Sequence, residues 1–469
     1  MRYTRFVSAI IILALLISNL NVFVFAEESG DATVTHGCHS VDAASAYLGS
    51  EKLTDNVGSA IMYETNSDTL MYAWHADETI YPSSLVKILT ALIACEKGDL
   101  QGVVTVTQDA LDSVPYYAAS AELQVGEQIT LSDLLYCMMV GSANDAAAVI
   151  AECISGSQTS FIKEMNDYAN QLGCTGTQFT NVHGLHDEKQ YTTVRDMARI
   201  LSSAVMNEDF LKYFSAIRYI VPATNKSAER ELSSGNFLMN TDNMQLYYDA
   251  RVTGGRTGIT DDGARCLATL AESNGMQVVC IVTGSESTFA ENGSTLTYGS
   301  FKETSVLLDA CFDGYQVAQI LYENQVIRQC SVPGGENDVV LCSENSVYSV
   351  LPVGVTVADL SYRYEDEAAL SNLPIEAGQV LSNVQVWHGG YCIAQADLKA
   401  MNSVSQADNQ QTDDAQKSTG SLMTVLIVIV SVFAGIGVIL LLIRSAGRIR
   451  IFLFKRRGKQ YRRSRRRSR

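Results

Sequence analysis

A serine and a lysine stand three residues apart at the start of a long apolar run. Residues 81–96 read Tyr-Pro-Ser-Ser-Leu-Val-Lys-Ile-Leu-Thr-Ala-Leu-Ile-Ala-Cys-Glu, which predicts a helix buried nearly all round. Ser84 and Lys87 would share one face of its first turn, where Pro82 and the serines suit a helix start. Desolvation would lower the pKa of the lysine until its amine could activate the serine hydroxyl. Alone, this spacing is more typical of a capped helix whose lysine reaches solvent.

Two further segments carry polar residues at breaks between apolar elements. Ser142 and Asn144 fall between two apolar helices, where they could project into a cleft or act only as turn and cap residues. Arg256, Thr257 and Gly258 precede two apolar strands that a short loop containing Asn-Gly joins into an antiparallel pair. Strands at both ends of this region, with helices between them, predict an α+β domain.

In this order the three segments resemble the S-x-x-K, S-x-N and K-T-G elements of the penicillin-recognising serine acyl-transferases. The resemblance is strongest to the low-molecular-weight penicillin-binding proteins, the D-alanyl-D-alanine carboxypeptidases, and includes landmarks at 181–185 and 193–196. It implies a β-lactamase/transpeptidase-like catalytic domain, an antiparallel sheet with helices. A small β-rich domain and one C-terminal transmembrane helix would follow.

The resemblance also implies roles for individual residues. Ser84 would attack the carbonyl between two D-alanines, Lys87 would take its proton, and Ser142 would relay a proton to the leaving amine. Binding would fall to Asn144 for the substrate amide, Arg256 and Thr257 for the terminal carboxylate, and the backbone N–H groups of Ser84 and of Ile259, which follows Gly258, for the oxyanion. The substrate would be a peptidoglycan stem peptide ending in D-Ala-D-Ala, with β-lactams as inhibitors. No cofactor and no metal are expected.

The third segment departs from the family pattern, because Arg256 stands where a lysine is usual. Arginine keeps the charge and can hold a carboxylate with two bonds, but it is larger and does not give up its proton. Two alternatives therefore remain: a β-lactamase, or a cell-wall scaffold with a weakened site. The first is disfavoured because no Glu-x-x-Leu-Asn element occurs between residues 145 and 255.

Both ends of the chain indicate export and anchoring. Residues 1–26 have two arginines, an apolar centre and a small-residue exit, as in a signal peptide. Residues 422–443 are apolar and uncharged over the length that spans a bilayer, and the tail 444–469 carries 13 Lys or Arg and no acid. By the positive-inside rule the tail is cytoplasmic and the catalytic part is extracellular.

The region between the signal and the membrane segment divides by composition. It has 19 basic and 51 acidic residues, a net charge near -32 that argues against a nucleic-acid partner. We expect most of the eleven cysteines to be free, with a bridge between Cys330 and Cys342 across a hairpin as one exception. His36, Cys38 and His39 lack a second cluster and suggest a loose terminal segment rather than a metal site.

The predicted segments are a flexible lead-in at 27–50, a serine D,D-peptidase domain at 51–318, a β-rich domain at 319–398 and a polar stalk at 399–421.

Overall fold

The computed structural model describes residues 47–48, 52–241, 245–289, 296–364 and 368–407. The strands are β1 (Ser59–Glu64), β2 (Thr69–Trp74), β3 (Val103–Thr105), β4 (Gln128–Thr130), β5 (Arg218–Val221), β6 (Arg230–Ser233), β7 (Val252–Ile259), β8 (Arg265–Ser273), β9 (Met276–Ser285), β10 (Ser287–Phe289), β11 (Leu296–Tyr298), β12 (Tyr315–Leu321), β13 (Val326–Cys330), β14 (Val339–Ser343), β15 (Val347–Pro352), β16 (Ser361–Tyr364), β17 (Val380–His388) and β18 (Tyr391–Ala400). The α-helices are α1 (Val86–Lys97), α2 (Gln108–Asp112), α3 (Leu131–Met139), α4 (Asn144–Ser155), α5 (Gln158–Gln171), α6 (Val194–Ala204), α7 (Glu208–Phe214) and α8 (Gly299–Gly314).

The strands of the first part of the chain form a five-stranded antiparallel sheet in the order β2-β1-β9-β8-β7. Strands β1 and β2 form a hairpin, and the predicted antiparallel pairing of β8 with β9 is confirmed. Asn274 and Gly275 both have positive φ, 52° and 77°, as a two-residue hairpin turn requires. The helices α1–α7 lie between β2 and β7 along the chain, so the predicted α+β arrangement is confirmed.

The sheet is covered on both faces, which explains its nearly continuous apolar strands. Along β9, Val279 and Ile281 belong to one hydrophobic core, while Val278, Cys280 and Val282 belong to another. The first core is shared with α6 and the second with α8. Because successive side chains of a strand point to opposite faces, a sheet between two helical layers needs apolar residues at every position.

Helix α1 lies at the centre of the first core, and every residue from Val86 to Cys95 is buried. The predicted helix buried all round is therefore confirmed, but its start differs from the prediction. Ser83, Ser84 and Leu85 form a 3₁₀ turn before α1, and neither serine hydroxyl caps the helix. The reason is the backbone of Ser83, whose φ of 48° does not fit an α-helix and directs its hydroxyl to a strand instead.

The β-rich part has its own sheet, in the order β13-β14-β18-β17-β16, and a third hydrophobic core. Strand β12 pairs with β15 beside it, so the predicted boundary at 318/319 falls within a strand. At the other end, Val404 is buried in this core and exchanges backbone hydrogen bonds with Ile375. The predicted start of the stalk at 399 thus falls inside the folded part, because Ala400 and Val404 beyond it are buried in the core.

The predicted bridge between Cys330 and Cys342 is wrong, since neither cysteine forms a disulfide. They lie on the paired strands β13 and β14, but the register sets Cys330 opposite Val339 and Cys342 opposite Val326. A disulfide needs two cysteines whose Cβ atoms face each other at short range. Sequence spacing indicated the hairpin but not its register.

Several sequence predictions lie outside the described residues. These are the signal peptide 1–26, almost all of the lead-in 27–50, the membrane segment 422–443 and the basic tail 444–469. Among the described residues, no helix combines the length and apolarity needed to cross a bilayer.

Candidate active site

The side chain of Lys87 lies at the centre of the site and is 0% exposed. Its Nζ is 3.3 Å from Oγ of Ser84, and it donates hydrogen bonds to Oδ1 of Asn144, at 2.7 Å, and to the backbone carbonyl of His183. Three segments of the chain therefore meet at one amine: the turn before α1, the start of α4 and the loop before α6. Sequence analysis predicted the contact with Ser84, but it assigned Asn144 to the substrate amide rather than to Lys87.

The surroundings of Lys87 favour the neutral amine. Burial lowers its pKa well below the usual 10.5, the nearby charge of Arg256 lowers it further, and Asp145 acts in the opposite direction. A neutral amine has two N–H groups and one lone pair. Asn144 and His183 each accept one N–H, so the lone pair remains for the hydroxyl of Ser84. This is the geometry of a general base beside a nucleophile.

The start of α4 holds Asn144 in place through a short loop. Its backbone N–H and its side-chain Nδ2 both donate to the carbonyl of Ala119, each at 2.8 Å. The adjacent carboxylate of Asp145 is buried and accepts hydrogen bonds from Ser120 Oγ at 2.6 Å and Ala121 N at 2.9 Å. With Oδ1 bound to Lys87, the Asn144 amide is engaged at both ends, so in this state it positions the lysine.

Arg256 is the second buried basic side chain of the site, at 3% exposure. Its guanidinium donates to Oγ of Ser142 at 2.6 Å, to the carbonyl of Met139 at 2.9 Å and to the carbonyl of Ser84 at 3.3 Å. Burial lowers its pKa to about 10, which leaves it charged at neutral pH. Within the described ranges of the chain, neither Arg256 nor Lys87 forms an ion pair with a carboxylate. The site therefore suits a ligand that brings a negative charge.

The remaining predicted residues follow Arg256 along β7, the edge strand of the sheet. Thr257 is half-buried, Gly258 is buried and the side chain of Ile259 is exposed. A Cβ atom on Gly258 would lie 3.2 Å from Ser83 Oγ and 3.3 Å from the backbone N of Ser84, so glycine lets the strand approach the turn that carries the serine. The structure thus brings Ser84, Lys87, Ser142, Asn144 and Arg256 into direct contact and places positions 257–259 beside them.

Sequence analysis named His183 and Gly184 only as landmarks, and the structure shows what they do. The carbonyl of His183 binds Lys87, and its buried imidazole has a pKa lowered to about 3, first by burial and then by the charge of Lys87. Gly184 has a φ of 85°, and a Cβ there would lie 1.9 Å from the carbonyl oxygen of Ser83. A glycine in a polar loop was the available signal, but nothing in the sequence identifies the contact.

A Gly184→Ala variant is expected to lose at least about 3 kcal/mol of unfolding free energy, because backbone strain and overlap with Ser83 add. The matched control is Gly173→Ala, where φ is 74° and nothing lies within 4 Å of the added Cβ. That variant should lose only about 1 kcal/mol, from backbone strain alone. Denaturant unfolding measures both free energies. Equal losses in the two variants would contradict the close packing of Gly184 against the carbonyl of Ser83.

In an Arg256→Gln variant, the pKa of Lys87 should rise, since one of the charges that lowers it is removed. The neutral amine is the form that can take a proton from Ser84, so the reactivity of Ser84 should rise with pH, and in this variant the rise should move to higher pH. Arg256→Lys, which keeps a positive charge, is the control and should shift the profile less. The measurement is the rate of covalent labelling by penicillin as a function of pH. A profile that stays in place or moves to lower pH in Arg256→Gln would contradict the electrostatic coupling.

Metal ligands are sparse around this site. Among the residues that the structure describes, no three His, Cys, Asp or Glu side chains group closely enough to hold a metal ion. The segment with His36, Cys38 and His39 lies outside the described ranges.

Comparison with known proteins places this geometry in a family. The chain is 27% identical to the D-alanyl-D-alanine carboxypeptidase DacF of Bacillus subtilis, over 76% of this chain and 88% of that protein. It is 29% identical to DacC of Escherichia coli, over 82% of this chain and 90% of the relative. The crystal structure of penicillin binding protein 5 from Haemophilus influenzae matches with a TM-score of 0.62 at 27% identity, covering 76% of this chain and 100% of that one.

The family description "D-alanyl-D-alanine carboxypeptidase" of peptidase S11 matches residues 49–287, just over half of the chain. This range includes all three segments that meet at Lys87. The chain therefore belongs to the D-alanyl-D-alanine carboxypeptidase family, the serine peptidases of family S11.

Proposed function

We propose that this enzyme removes the terminal D-alanine from peptidoglycan stem peptides through an acyl-enzyme on Ser84. The neutral amine of Lys87 takes the hydroxyl proton while the serine oxygen attacks the carbonyl between the two D-alanines. The negative oxygen that forms is stabilised by the backbone N–H groups of Ser84 and Ile259. Ser142, held by Arg256, relays the proton from Lys87 to the departing amine of D-alanine, and Lys87 becomes neutral again. Water then hydrolyses the ester and restores the serine.

Recognition of the substrate rests on charge. The terminal D-alanine carries a carboxylate, and the buried charge of Arg256 lacks an anionic partner in the described structure. The peptide carboxylate supplies that partner, with the hydroxyl of Thr257 beside Arg256 on the same strand. β-Lactams present a carboxylate and a strained amide in the same arrangement, so they acylate the same serine.

One observation carries the proposal: the amine of Lys87 has two protein acceptors, Asn144 and His183, and a serine hydroxyl as its third neighbour. A solvent-exposed lysine at a helix start would have water in these places. A scaffold protein with a decayed site would not need a buried lysine whose pKa is lowered.

The test uses the full-length protein in detergent and a synthetic stem pentapeptide ending in D-Ala-D-Ala. We expect stoichiometric appearance of D-alanine and of the shortened peptide, measured by mass spectrometry. The matched control is the same peptide with L-alanine at the terminus, which should remain intact. Absence of D-alanine release from protein that is folded by circular dichroism would contradict the proposal, and rapid turnover of a chromogenic β-lactam would support a β-lactamase instead.

We further propose that the enzyme is exported and anchored, with residues 422–443 in the membrane, the catalytic part outside and the basic tail 444–469 inside. The support is the sequence: a signal-like start, an uncharged span of bilayer length and a tail rich in Lys and Arg. The tail would also contact the anionic inner leaflet. After alkaline extraction of cells, the protein should stay in the membrane pellet, and its recovery in the supernatant would contradict anchoring.

A further inference from the structure

Ser83, the neighbour of the nucleophile, makes a contact that the proposed mechanism does not use. Its side chain is only 8% exposed, and its backbone has the positive φ of 48°. The hydroxyl donates a hydrogen bond to the carbonyl of Ile259 at 2.6 Å and accepts one from the N–H of Ile259 at 3.1 Å. A single hydroxyl thus satisfies both polar backbone groups of one residue.

These two backbone groups face outward from the sheet. Strand β7 is at the edge, and successive residues of an edge strand point their N–H and C=O groups alternately toward and away from the neighbouring strand. The next residue, Thr260, donates its N–H to Ala264, on the side of β8. Ile259 therefore offers its N–H and C=O on the open side, where an extended peptide can add as a further strand.

We propose that Ser83 is a positioning residue whose hydroxyl occupies the substrate-binding edge of β7 in the resting enzyme and must leave it when the peptide backbone binds. This inference rests on the proposed function, in which the Ile259 N–H stabilises the oxyanion. A bound stem peptide takes over both bonds. Its scissile carbonyl oxygen accepts from the Ile259 N–H, and a peptide N–H donates to the Ile259 carbonyl.

Displacing the Ser83 hydroxyl from Ile259 costs more free energy than displacing a water molecule would. Ser83 is tethered beside Ile259 and buried, and the position of Gly258 leaves room for its side chain in the occupied arrangement. When the substrate arrives, the hydroxyl gives up two hydrogen bonds and must find another partner inside the protein. The consequence is a slower acylation than the same site would show without the hydroxyl.

The test compares Ser83→Ala with wild type in the full-length protein. We expect the second-order rate constant for acylation by fluorescent penicillin to rise about threefold to tenfold, the change that corresponds to one or two modest hydrogen bonds. The KM for the D-Ala-D-Ala pentapeptide should fall while kcat changes less, and the melting temperature should fall slightly. An acylation constant that is unchanged or lower would overturn the inference and leave Ser83 as a structural contact.

Two further variants keep this test decisive. Ser349→Ala removes another buried hydroxyl, which donates to the carbonyl of Ile393 at 2.8 Å in the β-rich part, and it should lower stability without accelerating acylation. Ser83→Cys serves if the alanine variant does not fold, because a thiol is a weak hydrogen-bonding group and should also accelerate acylation. If the wild-type enzyme is acylated by penicillin but releases no D-alanine from the pentapeptide, only the proposed hydrolysis of the peptide is contradicted. Wild type that is never acylated would contradict both proposals.

Discussion

In a Ser84→Ala variant, D-alanine release is expected to fall by at least about 10³-fold, and covalent labelling by penicillin should disappear. The reason is chemical, because the alanine side chain cannot form the ester on which both reactions depend. The hydroxyl of Ser83 cannot take over, since the amine of Lys87 lies beside Ser84. The fold should survive the loss of one half-buried hydroxyl.

The measurement combines D-alanine release with mass spectrometry of the penicillin-labelled peptide. Fragmentation of wild-type peptide should place the label on Ser84 and not on Ser83, although the two are adjacent. Ser349→Ala, distant in the β-rich part, is the control and should keep full labelling. Labelling that persists in Ser84→Ala, at Ser83 or elsewhere, would contradict the assignment of the nucleophile.

Much of the fold could be predicted because local chemistry and tertiary structure agree. The Asn274-Gly275 turn takes the positive φ values that these residues favour, and the apolar runs of β8 and β9 form a sheet buried on both faces. The register of Cys330 and Cys342 was missed, since a hairpin's spacing does not determine which residues stand opposite each other. The burial of Val404 was missed because a single valine in a polar segment gives no periodic signal.

The sequence likewise predicts one part of the candidate site and misses another. Ser84, Lys87, Asn144 and Arg256 could be named because their side chains do chemistry and their order along the chain resembles a known family. The contact of His183 could not, since any residue carries a backbone carbonyl and 96 positions separate it from Lys87. The sequence places Ser83 at a helix start, and only its positive φ directs its hydroxyl to Ile259. Backbone groups thus hold the part of the site that side-chain patterns do not reveal.

Replacing Lys87 tests whether its amine is a base or only a structural cation. Lys87→Arg keeps the positive charge but offers no lone pair at neutral pH, so acylation of Ser84 should fall by about 10² to 10⁴-fold. Lys87→Met removes both the charge and the base and should lose as much activity. The measured quantity is the acylation rate by penicillin across pH. Wild type should gain rate with rising pH, from a midpoint well below 10.5, and both variants should lack this rise.

Stability gives an independent readout of the same group. The pKa of Lys87 is lowered in the folded protein, so between that pKa and 10.5 the unfolded chain binds the additional proton and stability rises with pH. Lys87→Met lacks the titrating amine. The difference between the unfolding free energies of wild type and Lys87→Met should therefore shift in favour of wild type as pH increases through this window. A difference that is constant with pH would mean that Lys87 stays protonated in the folded enzyme, and a protonated amine cannot accept the proton of Ser84.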